Sequence, residues 1–259
     1  MDISDRDRDA FHPQYQHTQV VNDQSKTTLS IAKVFLFMFF GLLITTVVAF
    51  GVGALVYYFV GVYDSEAVNE TVLRTYLILI IASAIALFID MLVINFVVIR
   101  GKHSVLSPGI IYTVLVGILF SMLTIVVDWR LIGMAFGITA ATFALMSLIA
   151  FLTKGNMSSL LIAIIGLAVG VGALALFNWI FMLITGTVVS VLFWVVEIGI
   201  FALILFVTIY DLWRIKKIAE QGGMDRNVSL YCAFIMYTDF INVFIRILLF
   251  LIMIFGNKK

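Results

Sequence analysis

The sequence predicts an all-α integral membrane protein that crosses the bilayer seven times, and two observations carry that expectation. Hydrophobic residues make up 63% of the chain and charged residues only 12%, with a mean hydropathy of +1.15, whereas soluble domains are about half apolar and a quarter charged. The apolar residues are also gathered into seven stretches, 29–60, 72–99, 109–127, 131–152, 160–177, 188–210 and 228–255. Each is near or above the roughly 20 residues a helix needs to cross the hydrocarbon core. Helices suit such segments because every backbone polar group must be satisfied inside the segment where no water reaches it.

Taken in order, residues 1–28 are polar, with Asp and Arg alternating from Asp5 to Asp9. A stretch that buries so little apolar surface reads as a disordered tail ahead of a transmembrane domain at 29–256. The first two apolar stretches exceed the bilayer thickness and must tilt or project. Pro108 stands at the start of the third, a tolerated helix-start position. Gly133, Gly137, Ala140 and Ala141 in the fourth, and Gly166, Gly170 and Gly172 in the fifth, form small-residue rows of the kind that lets helices approach closely in lipid. Residues 178–187, "NWIFMLITGT", read as a short interfacial connection with Trp179 and Phe181 at headgroup level. Gly222 and Gly223 end the sixth helix, and Asp225 or Asn227 can cap the seventh.

Orientation follows from the basic residues. Arg100, Lys102, Lys154, Arg214, Lys216, Lys217 and Arg226 fall in one set of connections, together with the tail, while Arg74, Arg130, Lys258 and Lys259 fall in the other. Basic residues favour the cytoplasmic side, which puts the N-terminus inside. A net charge of +1 leaves no basic excess for nucleic acid, which is set aside. The single cysteine, Cys232, excludes an internal disulfide and reads as a small buried hydrophobe.

Five ionisable residues in or next to the apolar stretches stand out: Asp90, Glu197, Asp211, Asp239 and Arg246. An ionisable side chain at membrane depth costs several kcal/mol unless paired or hydrated, and by default marks a functional site. Asp211 and Asp239 stand at similar distances from the turn between the last two helices, which places them at similar depth. Asp239, Asn242 and Arg246 recur at helical spacing and should share a face turned from lipid. Glu197 and Asp90 are the candidates to neutralise Arg246. Arg100 closes the second span at its cytoplasmic edge, where a long basic side chain snorkels. Asp211 reads equally as an interfacial residue before a basic loop.

The segments "YDLWRIKKI" and "MYTDFINVF", with "AFGITAATFALMS" and "LTKGNMSSL", resemble the Bax inhibitor family, most closely its bacterial members, over about residues 27–256. The resemblance implies six helices wrapped as two three-helix layers around a central seventh, in a bacterial plasma membrane. It further implies a pH-sensitive calcium leak, with Asp211 and Asp239 as a hydrogen-bonded pair and Arg100 as its latch. Asp90 falls near the family's second-span acid, one position out of register; Arg246 has no counterpart, and the connection between the aspartates is some four residues longer than in bacterial relatives. Calcium takes six to eight oxygen ligands, so two carboxylates with carbonyls and water suit transient binding, and no resident cofactor is expected. Two carboxylates in hydrogen-bonding reach titrate as a unit. Family members also modulate membrane proteases or stress and cell-death machinery, which makes an interaction protein the alternative. An enzyme is not expected, because the glycine-rich aspartate motif of intramembrane proteases is missing and His103 lies in a loop.

Overall fold

The computed structural model describes residues 13–62, 66–100, 104–153, 155–187, 190–222 and 224–255. These form seven α-helices: α1 Pro13–Val62, α2 Glu66–Arg100, α3 Leu106–Val126, α4 Trp129–Leu152, α5 Ser158–Thr185, α6 Ser190–Glu220 and α7 Arg226–Phe255. All seven are long and apolar enough to cross a membrane.

Local chemistry sets the ends. Asp128 caps α4, its Oδ1 accepting from the Arg130 amide at 2.9 Å, and Asp225 caps α7, accepting from the Val228 amide at 2.7 Å. Of the two residues that suited the start of α7, Asp225 therefore holds the position. Gly186 and Gly222 end α5 and α6 with φ of 69° and 70°, a left-handed conformation that glycine adopts without a side-chain clash.

Two segments differ from the sequence expectation. Residues 178–185 are not a connection but the last two turns of α5, and only Gly186 to Val189 separate α5 from α6. That stretch is apolar and contains no breaker before Gly186, so its backbone bonds stay helical. Residues 13–28, assigned to the tail, lie within α1, which starts at Pro13 and runs for 50 residues, or about 75 Å at the α-helical rise. Proline is favoured at a helix's first position, and no later residue in the stretch interrupts the hydrogen-bond ladder. Residues 1–12 of the tail lie outside the described residues.

Twelve residues of α7 are buried, against two of α5, so α7 is the interior helix and α5 presents most of its surface to lipid. α7 packs on α1, α4 and α6 and touches α3; α1 and α2 pack on α3, and α6 packs on α4 and α5. The core runs along α7 through Met236, Tyr237, Val243 and Leu248, joined by Val34 of α1 and Leu212 of α6.

The close approaches are not made by the glycine rows of α4 and α5. A Cβ added at Gly133, Gly137, Gly166, Gly170 or Gly172 would meet nothing within 4 Å. Close contacts fall instead at Gly41 against Tyr237, at Gly53 against Thr124, at Gly117 against Val48 and the Thr45 carbonyl, and at Gly199 against Val171. The α1–α3 seam is thus backbone-close, whereas the α4 and α5 rows line open faces. A small residue permits close packing but does not say which face a partner occupies.

Gly117→Val forces atoms against Val48 Cβ, 2.7 Å from the added Cβ, and against the Thr45 carbonyl at 2.9 Å. It should destabilise the bundle by about 1–3 kcal/mol, as overpacked cores do. Gly137→Val meets open space and should unfold at the wild-type temperature. Thermal unfolding of the two purified variants in the same detergent checks the contrast.

Candidate functional site

The site is built on the two most C-terminal helices. Asp239 lies on the buried stripe of α7 between Met236 and Val243 and is 7% exposed, and its Oδ2 is buried with no hydrogen-bond partner among the described residues. Asp211 of α6 is half-buried and lies close enough to act electrostatically on Asp239. The two carboxylates are thus in electrostatic reach of each other, and among the described residues no hydrogen bond joins them. Arg214, one turn after Asp211, acts on it electrostatically, and the charges of Asp211 and Arg214 both reach the buried Cys232.

The helices around the pair are tied by polar side chains. Tyr237, two residues before Asp239, shares a hydrogen bond between its hydroxyl and Thr45 Oγ1 at 2.6 Å, and Thr45 Oγ1 is in donating reach of the Thr113 carbonyl at 3.0 Å and of the Gly41 carbonyl of its own helix at 3.1 Å. This relay joins α7 to α1 and α3. Lys216 of α6, 15% exposed at its side chain, donates to the Phe151 and Thr153 carbonyls at 2.8 and 3.0 Å. It caps the C-terminus of α4, where unpaired carbonyls and the helix dipole favour a cation. Sequence reading missed both. From the sequence Lys216 reads as a loop cation, and although Tyr237 and Thr45 are visible as polar residues in apolar runs, no sequence signal gives their partners.

The remaining charges separate from the pair. Asp90, 8% exposed, shares the single buried face of α2 with Ser83 and Ile94. Its Oδ2 lacks a partner among the described residues, and its charge acts on Tyr112 of α3. The Tyr112 ring packs edge-on against Phe234 and Tyr237 of α7. Arg246 donates to Glu197 of α6, so of the two carboxylates open to it the structure supplies Glu197. Asn242 is exposed, contrary to the shared buried face expected for it. Its position is about 60° around the helix from Asp239, against about 20° for Arg246, which carries it past the edge of the buried stripe. Arg100 ends α2, and its side chain lies outside the described residues. Among the described residues no three His, Cys, Asp or Glu side chains gather as a metal cluster.

Residues 27–257 match the model of the family described as inhibitor of apoptosis-promoting Bax1. The chain belongs to the Bax inhibitor family. It is also 30% identical over 266 residues to the inner membrane protein YbhL of Escherichia coli K12, an alignment that covers 93% of this chain and 96% of that one. The YbhL of E. coli strain O6:H1 matches to the same extent. This Bax inhibitor family member is accordingly a multi-pass integral membrane protein, and the family match covers all seven spans, including both aspartates.

The Arg246–Glu197 pair gives a direct test. With side chains 24% and 19% exposed, removing one partner strands a poorly solvated charge. Arg246→Leu should therefore cost roughly 3 kcal/mol, while replacing both partners by leucine should be close to neutral. Folded yield and melting temperature of the two single variants and the double variant in detergent check this. A loss in the double variant equal to the sum of the two single losses would mean that the residues do not act as a pair.

Proposed function

We propose that this protein is a pH-sensitive cation leak of the bacterial inner membrane, with calcium as its cargo and Asp211 and Asp239 as the groups that exchange protons and ions. The observation that carries the reading is Asp239 itself, a carboxylate on the most enclosed helix whose Oδ2 has no partner among the described residues, beside a second carboxylate in electrostatic reach. Such a group in hydrocarbon must be protonated, hydrated or neutralised by a cation. Arg246, the arginine farther along α7, is engaged by Glu197 and does not supply that neutralisation.

Calcium fits the chemistry, because it takes oxygen ligands in flexible number and would complete its shell with carbonyls and water. Two carboxylates without a third make a weak site, and permeation needs an ion that leaves as readily as it enters. A proton held between the aspartates competes with the cation for the same oxygens, which couples flux to pH. Arg100, at the end of α2, is the proposed latch on the pair. The uneven distribution of Lys and Arg among the connections supports a cytoplasmic N-terminus.

Asp211→Asn and Asp239→Asn should fold, since the amide has the same shape, and each should abolish most of the pH dependence of calcium entry because an amide takes up no such proton. Arg100→Ala should raise basal flux and keep a pH response. Calcium entry into liposomes, measured for the three variants between about pH 6 and pH 8 where such a coupled pair is expected to titrate, tests the reading. Wild-type behaviour of both aspartate variants would leave the pair structural. The interaction-protein reading, in which the protein modulates a membrane protease or stress and cell-death machinery, would then stand.

Orientation is tested separately with single cysteines in a Cys232→Ser background. Glu70→Cys, at the start of α2, should react with an impermeant maleimide from outside intact cells, and Arg226→Cys, at the start of α7, only after the cytoplasmic face is opened. Labelling in the reverse order would invert the bundle.

A further inference from the structure

α3 and α4 are joined by only Val127 and Asp128, yet they do not pack chiefly on each other: α3 lies on α1 and α2, and α4 on α6 and α7. The wedge between them is a cavity of about 540 Å³, within the roughly 300–1,000 Å³ of small-ligand sites. Phe50 and Thr124 form one wall, Gly133 and Phe136 the other, and Ile241 and Phe244 of α7 the floor. An added Cβ at Gly133 would touch nothing within 4 Å, so the wedge is open beside it. The wedge lies between two membrane-spanning helices at hydrocarbon depth, where its apolar walls are solvated by acyl chain rather than by water.

The mouth of the wedge has a different character. Trp129, which lines it, is exposed, and the Arg130 guanidinium lies over its ring, 5.7 Å from the centroid. The exposed Asp128 carboxylate accepts from the Arg130 amide. One cation and one anion thus adjoin Trp129 in the chain, at the end of an apolar slot that runs seven residues down α4 to Phe136, roughly 10 Å at the helical rise. Guanidinium groups bind phosphate oxygens through two parallel N–H donors, and a carboxylate suits a primary ammonium. An anionic headgroup would leave Asp128 facing surplus negative charge.

We propose that the α3–α4 wedge binds one zwitterionic phospholipid of the ethanolamine type, with phosphate on Arg130, ammonium on Asp128 and one acyl chain laid against α7. The chain reaches Ile241 and Phe244, close to the turn of α7 that carries Asp239, so an occupant braces the interior helix from the lipid side.

Native mass spectrometry of the purified full chain with dioleoyl phosphatidylethanolamine or dioleoyl phosphatidylglycerol as the added lipid tests this. Wild type should retain one ethanolamine lipid in preference to the glycerol lipid. Gly133→Phe, which fills the wedge without a backbone clash, should lose it, whereas Gly166→Phe, on an equally open glycine of α5, should keep it. Arg130→Ala should weaken retention of both lipids about tenfold, the loss of one charge-assisted contact to the shared phosphate, whereas Asp128→Asn, which can still cap α4, should erase the headgroup preference. Retention by Gly133→Phe at the wild-type level, or equal retention of both lipids by wild type, would overturn the proposal and leave only non-specific surrounding lipid. Should Gly133→Phe fail to fold, the headgroup preference and its loss in Asp128→Asn decide the matter.

Discussion

Keeping the Asp239 carboxylate inside the bilayer is the constraint on which the rest of the bundle depends. A helix carrying such a group cannot present it to acyl chains, so α7 has to be enclosed by other helices. Burial of apolar surface does not drive that enclosure, because lipid tails are as apolar as leucine. What holds the neighbours in place is close packing and specific polar contact. Gly117 lets α3 come within backbone distance of α1, and Gly41 leaves room on α1 for the Tyr237 ring of α7. The Tyr237–Thr45–Thr113 relay then fixes the register of the three helices, and on the opposite flank Lys216 binds α6 to the end of α4.

The interior charges divide into two arrangements along α7. Toward its C-terminal end, Arg246 and Glu197 neutralise each other. About two turns earlier, Asp239 lies in electrostatic reach of Asp211, a charge of the same sign, with no partner for its Oδ2 among the described residues. The first arrangement needs nothing further to be stable in a poorly solvated setting, whereas the second is stable only when a proton, water or a cation joins it. That difference distinguishes a structural ion pair from a candidate ion site on the same helix.

Composition and segment length by themselves determined the class, the number of spans and the residues worth suspecting. Seven long apolar stretches leave few folds open, and each charge within them stands out. The Gly222 stop and the acidic cap of α7 were equally legible, since both act through backbone geometry within a few residues. Tertiary structure alone decided which charges meet. Glu197 rather than Asp90 faces Arg246, because α2 packs on α3 and α1, whereas α6 packs against α7 as well as α4 and α5. Asn242 turned out exposed because α7 is enclosed over most of its circumference and not all of it. The glycine rows of α4 and α5 misled for the same reason: spacing along a helix defines a face, and only the packing of the other helices determines what that face meets.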